Sequence, residues 1–123
     1  MELIDEDLTY KIIGCCMEVY NNMGKGFSEI LYKEALEIEC QSNSIPYKRE
    51  KEFLIKYKDI VLNHKYYADF VVFDKIILEI KAVESLNSSH TKQVLNYLAA
   101  SKLKLGLLIN FGENSLKYKR VIL

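Results

Sequence analysis

At 123 residues, half of them hydrophobic and 28% charged, with one Pro and five Gly, the chain has the composition of a single globular domain, which excludes global disorder and collagen-like or low-complexity architecture. Its 17 Lys and Arg balance its 17 Asp and Glu, which excludes a protein that coats a polyanion through bulk charge and leaves only a local patch for such a partner. No apolar run approaches the roughly 20 residues of a membrane helix, and the acidic start MELIDEDLTYK lacks the basic-then-apolar order of a signal peptide, so a soluble, cytoplasmic protein without membrane contact is expected.

Residues 7–23 read as a helix, because Leu8, Ile12, Cys15/Cys16, Val19 and Met23 recur at helical spacing. Gly24-Lys25-Gly26 ends it. A second helix starts near Ser28, a suitable N-cap, and carries Leu31, Ala35, Ile38 and Cys40 before Gln41-Ser42-Asn43-Ser44 and Pro46. Cys15, Cys16 and Cys40 are odd in number and show no metal-binding spacing, which predicts reduced residues at partly buried helix positions.

From Tyr47 the period changes to two. Phe53, Ile55 and Tyr57 alternate with Leu54, Lys56 and Lys58, which predicts a strand, with Ile60-Val61-Leu62 as a turn or short continuation. Tyr66 to Phe73 and Lys75 to Val83 read as two more strands joined near Asp74. Within them Phe70-Val71-Val72-Phe73 and Ile76-Ile77-Leu78 are apolar on both faces, as central strands are. Ser88 or Ser89 is the expected cap of a third helix over about 89–103, with Val94, Leu95, Leu98 and Ala99 towards the core. Leu105 to Phe111 reads as a buried strand and Tyr118 to Leu123 as a last strand at an edge. The fourth strand follows a helical crossover and so can lie parallel to a neighbour. The expected fold is α/β, a mixed sheet of about four or five strands flanked by three helices.

Three charges interrupt the apolar strands. Glu79 and Lys81 are two residues apart in one strand and therefore share a face, while Leu78, Ile80 and Ala82 take the other. Paired antiparallel residues have a constant index sum. A three-residue loop Phe73-Asp74-Lys75 therefore sets Asp69 opposite Glu79. A two-residue loop would set it opposite Ile80 and need a bulge. Two carboxylates a few ångströms apart repel by roughly 4 kcal/mol at an effective dielectric near 20. A proton, the Lys81 ammonium or a divalent cation relieves that repulsion. An all-oxygen site suits Mg²⁺ or Mn²⁺. The plain alternative is a solvated sheet face carrying ordinary charges. The functional reading needs the two acids to converge beside the ammonium in one cation-sized pocket open to solvent.

Asp69 followed by Glu79-x-Lys81 across a strand turn resembles the PD-(D/E)XK nuclease superfamily, although Tyr67-Ala68 rather than a proline precedes the aspartate. The chain is similar in particular to the small GxxExxY proteins of that superfamily. Their name motif stands here as Gly26-Phe27-Ser28-Glu29-Ile30-Leu31-Tyr32. Further matches run through Thr9 to Gly14, Tyr67-Ala68-Asp69, Glu79 to Val83, Gln93 to Leu98 and Gly106 to Gly112. The resemblance covers nearly the whole chain as one domain. It implies a restriction-endonuclease-like core and a metal-dependent nuclease of nucleic acid, DNA foremost. Asp69 and Glu79 would hold Mg²⁺ or Mn²⁺, and Lys81 would assist the attacking water.

Within that resemblance Glu29 becomes a further metal or water ligand. Read from the helix alone, it is a favourable charge at an N-terminus, worth roughly 0.3–1 kcal/mol. Glu18 is a weaker candidate for the same part. Gln93-x-x-x-Tyr97 fits a signature that several members carry near the metal and the nucleic acid, against plain amphipathic packing of Tyr97. His90 reads as a solvated first-turn residue. Lysines and arginines at 48–51, 56–58, 102–104 and 117–120 are possible phosphate contacts or edge-strand gatekeepers. The rival to an enzyme is a nuclease-fold binding or assembly module without turnover. A homodimer would double the small surface available for gripping a duplex.

Overall fold

The computed structural model describes residues 4–123. Two helices, α1 (Glu6–Met23) and α2 (Glu29–Ser42), precede three strands, β1 (Tyr47–Tyr57), β2 (Ile60–Val72) and β3 (Ile76–Lys81). Helix α3 (Ser88–Ser101) then leads to β4 (Leu105–Asn110) and β5 (Lys117–Ile122). The sheet order is β1-β2-β3-β4-β5. Only β3 and β4 run parallel, and α3 makes the crossover between them. The α/β class, the mixed five-stranded sheet and the three flanking helices are those expected of a restriction-endonuclease-like fold.

The sheet is covered on both faces. On one, α1 and α2 bury Ile12, Val19, Tyr32 and Leu36 against Phe70, Val72, Leu78, Ile80, Leu107 and Ile109. On the other, α3 buries Val94, Tyr97 and Leu98 against Ala68, Val71, Ile77, Leu108 and Val121. Each such side chain contributes roughly 1.5–3 kcal/mol by leaving water. Cys15, Cys16 and Cys40 are unbonded and buried in the first of these clusters, and burial pushes the Cys40 thiol up to about 12.

Three boundaries differ from the sequence reading. The stretch from Ile60 to Val72 is one 13-residue strand, not a turn or short continuation followed by a separate strand, and Asp69 lies near its end. The β1–β2 turn is Lys58-Asp59, with Lys58 at φ 56°, and no Asn-Gly pair announces it. Helix α3 is capped by Asn87, not by Ser88 or Ser89. Asn87 Oδ1 accepts from the Ser89 and His90 amides, while His90 Nδ1 accepts from the Asn87 amide. His90 thus completes a capping box. Among the described residues no helix is long and apolar enough to cross a membrane.

Candidate active site

The site begins where β2 leaves the sheet. Val72↔Ile76, Val71↔Ile77 and Phe70↔Leu78 are paired, and the same index sum sets Asp69 opposite Glu79, the register of the three-residue loop. Beyond Phe70 the ladder gives way to side chains. Asp69 Oδ2 accepts the Ile80 amide at 2.8 Å, and Glu79 Oε1 accepts the Asp69 amide at 3.1 Å. Each carboxylate therefore satisfies a backbone donor of the strand it faces, which keeps those amides paired as the strands part.

The alternation of β2 slips at the same place. Phe70 and Val72 pack on the α1/α2 face, Val71 and Ala68 both on the α3 face. In β1 the partner position is Glu50, which adopts φ 48°. Tyr47 packs on the α1/α2 side of this point, whereas Phe53 packs on the α3 side beyond it. A left-handed residue in one strand thus turns both strands over, and Asp69 points across towards β3 instead of squarely into either layer.

The acids do converge, but under cover. Asp69 is 7% exposed and Glu79 3%, so the pocket is more closed than the sequence reading expects. The covering group is Lys33 of α2, whose Nζ lies 2.8 Å from Asp69 Oδ1 and 3.3 Å from Glu50 Oε1. Burial pulls the Lys33 ammonium down, but Asp69 and then Glu50 outweigh it and hold it above its ordinary value. Burial, and next the charge on Asp69, push the Glu79 carboxyl up to about 8, while Lys81 pulls it back. Burial and the charge on Asp69 thus disfavour an ionised Glu79 unless a cation joins the pair.

Lys81 follows Glu79 on the same face of β3. It is partly exposed and forms no ion pair among the described residues, so its ammonium remains available beside the pair. On α3, Gln93 Nε2 donates to Tyr97 Oη at 3.0 Å. Tyr97 is buried rather than at the surface. Burial, then the Glu79 charge, raise its hydroxyl to about 12, so it stays a neutral donor near the acids. Gln93 and Tyr97 thus belong to the same neighbourhood as Glu79.

Glu29 is not brought into a group of three ligands with Asp69 and Glu79. Among the described residues no three His, Cys, Asp or Glu side chains cluster so as to hold a metal ion. Glu29 is partly exposed in the first turn of α2, one turn before Lys33 and so about 6 Å along the axis from it. Glu18 accepts from Asn22 on α1 and faces the groove with Lys11 and Glu39. The other two motif residues have structural work. Gly26 sits at φ 113°, where a side chain is strained. Tyr32 is fully buried, stacks on Phe111 at 4.5 Å, donates to Gly24 O at 2.6 Å and accepts from the Phe27 amide at 3.2 Å.

Sequence reasoning missed Lys33, Glu50 and Asn110. Asn110 is fully buried at the end of β4. Its Oδ1 accepts from Val83 and Gly112 amides, and its Nδ2 donates to Val83 O and Glu113 Oε2. It ties the segment after β3 to the loop after β4 and so fixes the strand end that carries Lys81. The only signal was one polar residue closing an otherwise apolar strand.

A family model of the PD-(D/E)XK nuclease superfamily matches residues 6–121. The crystal structure of SSO0001 is similar in fold, with a TM-score of 0.60 and 22% identity over 75% of this chain. The match takes in about half of that protein, 48% of its chain. No curated protein matches the chain. The match over nearly its full length places the chain in the PD-(D/E)XK nuclease superfamily.

Proposed function

With that membership as premise, we propose that this domain is a divalent-metal-dependent nuclease that hydrolyses phosphodiester bonds of nucleic acid, DNA foremost, and that it is one of the small GxxExxY proteins. The observation that carries the reading is the buried Asp69–Glu79 pair, held by reciprocal bonds to each other's strands, where burial and mutual charge oppose ionising both acids at once. The donors are all carboxylate oxygens, which fits Mg²⁺ or Mn²⁺. A divalent ion would take the place now shared by the Glu79 proton and the Lys33 ammonium.

Asp69 and Glu79 would hold the ion, which when bound supplies Lewis-acid polarisation of the scissile phosphate and a more acidic water. Hydrolysis forms a bond from water oxygen to phosphorus and breaks the bond to the leaving sugar oxygen. Lys81 places positive charge where the phosphate oxygens gain negative charge, and it orients the water. Tyr97, kept neutral and positioned by Gln93, offers a hydrogen-bond donor from the α3 side. Glu29, carried on the same helix as Lys33, approaches the site as a water ligand rather than as a third direct one.

A second reading is favoured by the Lys33–Asp69 ion pair, which already neutralises the aspartate. It makes the chain a binding or assembly module without turnover. Calorimetric titration with Mn²⁺ and a cleavage assay on DNA and RNA separate the two. The nuclease reading expects metal binding that Asp69→Asn abolishes and cleavage that Lys81→Ala lowers by 10²-fold or more. Metal binding without cleavage by freshly purified wild type supports the module instead.

A further inference from the structure

We propose that the outer part of the β1–β2 hairpin is a nucleic-acid-gripping arm that carries the backbone of the substrate polymer away from the Asp69–Glu79 pair; this rests on the nuclease reading above. Only Phe70 to Val72 of β2 pair with β3, yet β2 continues back to Ile60 and pairs with β1 on either side of a register shift between Leu54 and Lys56. The arm is therefore a two-stranded ribbon that begins at the site itself, with Glu50 and Asp69 at its root. A bare ribbon is marginal in water. Here Phe53 and Tyr66 pack against the α3 layer, and Tyr66 meets the Tyr97 ring edge-on at 5.6 Å.

The ribbon carries a local excess of positive charge. From Lys48 to Tyr67 there are six basic residues (Lys48, Arg49, Lys51, Lys56, Lys58 and Lys65) and three acids (Glu50, Glu52 and Asp59). The arm thus has an excess of three positive charges in a chain whose total is zero, and the rest of the chain carries the matching acid. Glu52 pairs with Lys65, and Glu50 is drawn to Lys33. Lys51, Lys56 and Lys58 are exposed and make no ion pair among the described residues. Exposed lysines on an edge strand discourage aggregation, and the same side chains offer counter-charges to a polyanion. Tyr57 and Tyr67, 61% and 49% exposed, sit among them. Tyrosine faces between phosphate-binding lysines offer stacking to unpaired bases. The ribbon gives a neutral domain this small a local basic surface for a polymer, because a zero total does not report where the charges lie.

The test measures binding without metal, so that cleavage plays no part. Fluorescence anisotropy with labelled single-stranded DNA, duplex DNA and RNA is followed in EDTA from 25 to 200 mM KCl. The triple variant Lys51→Gln, Lys56→Gln, Lys58→Gln should lose at least tenfold in affinity at low salt. Its log–log salt slope should shrink by about 2 for single strands. Lys56→Gln alone should remove roughly a third of that. The control variant Lys75→Gln, Lys102→Gln, Lys104→Gln changes the opposite end of β3 and β4, where both strands start, and should leave affinity and slope as in wild type. Equal binding by wild type and arm variant overturns the proposal, and so does an arm variant that alters sedimenting mass but not affinity, which would make the ribbon a contact between copies. Failure of cleavage with intact arm-dependent binding would instead sink the nuclease reading and leave the arm standing.

Discussion

Replacing Glu79 with Gln should stabilise the metal-free protein, and only above acidic pH. The carboxyl is 3% exposed, and burial followed by the Asp69 charge lifts it from 4.5 to about 8 in the folded chain. Between those values the folded state holds a proton that the unfolded state has released, so stability falls as pH rises through this window and levels off above it. One pH unit corresponds to about 1.4 kcal/mol, so the cost at pH 8.5 is on the order of 5 kcal/mol. Gln cannot ionise, keeps an oxygen for the Asp69 amide and can donate to the Asp69 carboxylate as the protonated acid does. Urea unfolding in EDTA from pH 4.5 to 9 should give a wild-type stability that declines and a variant stability without that decline. The curves should meet near pH 4.5 and lie several kcal/mol apart at pH 8.5. Parallel curves would refute the argument, because they would mean that Glu79 is no more perturbed in the fold than in the open chain. Saturating Mn²⁺ should then restore wild type selectively, by about 1.4 kcal/mol at ten times the dissociation constant.

Lys33→Met frees the Asp69 oxygen it now covers, so Mn²⁺ affinity by calorimetry should rise about tenfold while the metal-free protein loses roughly 1–3 kcal/mol. Tyr32→Phe removes one bond to Gly24 O and one from the Phe27 amide, which should cost about 1–2 kcal/mol in urea unfolding and leave metal affinity unchanged. Gly112→Ala would set a methyl 2.3 Å from Val83 O and 2.4 Å from Val83 N, both backbone atoms; a thermal midpoint lowered by the equivalent of about 3 kcal/mol or more is expected.

What was legible in the sequence was what periodicity encodes. Phe70 to Phe73 and Ile76 to Leu78 are apolar on both faces, and they lie in or beside β2 and β3, two of the three inner strands. The odd–even rule put Glu79 and Lys81 together, and the index sum put Asp69 across from Glu79. Periodicity cannot report where it breaks. The slip at Glu50 and Asp69 depends on one left-handed residue that is not glycine, and no composition rule marks a glutamate for φ 48°. Lys33 escaped for another reason: its partners are 17 and 36 positions away, and only the packing of α2 on the sheet brings them within reach. The outer half of β2 was split because Ile60 to Lys65 is exposed, and an exposed ribbon has no buried face to impose alternation.

The slip, the lysine and the arm are consequences of a single departure from regular pairing. A continuous ladder between β2 and β3 would use the Ile80 amide for a backbone bond, would turn the Asp69 amide towards β1 and would leave both carboxylates on a flat sheet face. Parting the strands at Phe70↔Leu78 makes those amides orphans, and the carboxylates turn inward to meet them. Desolvation then makes the pair a strong attractor for positive charge, which Lys33 satisfies from one side while Lys81 stands on the other. The same parting sends β1 and β2 outward as a ribbon with its own basic surface. A variant that restored regular pairing, by removing the left-handed turn at Glu50, would therefore be expected to weaken cation binding and the arm together, although the one ion pair of Glu50 is with Lys33.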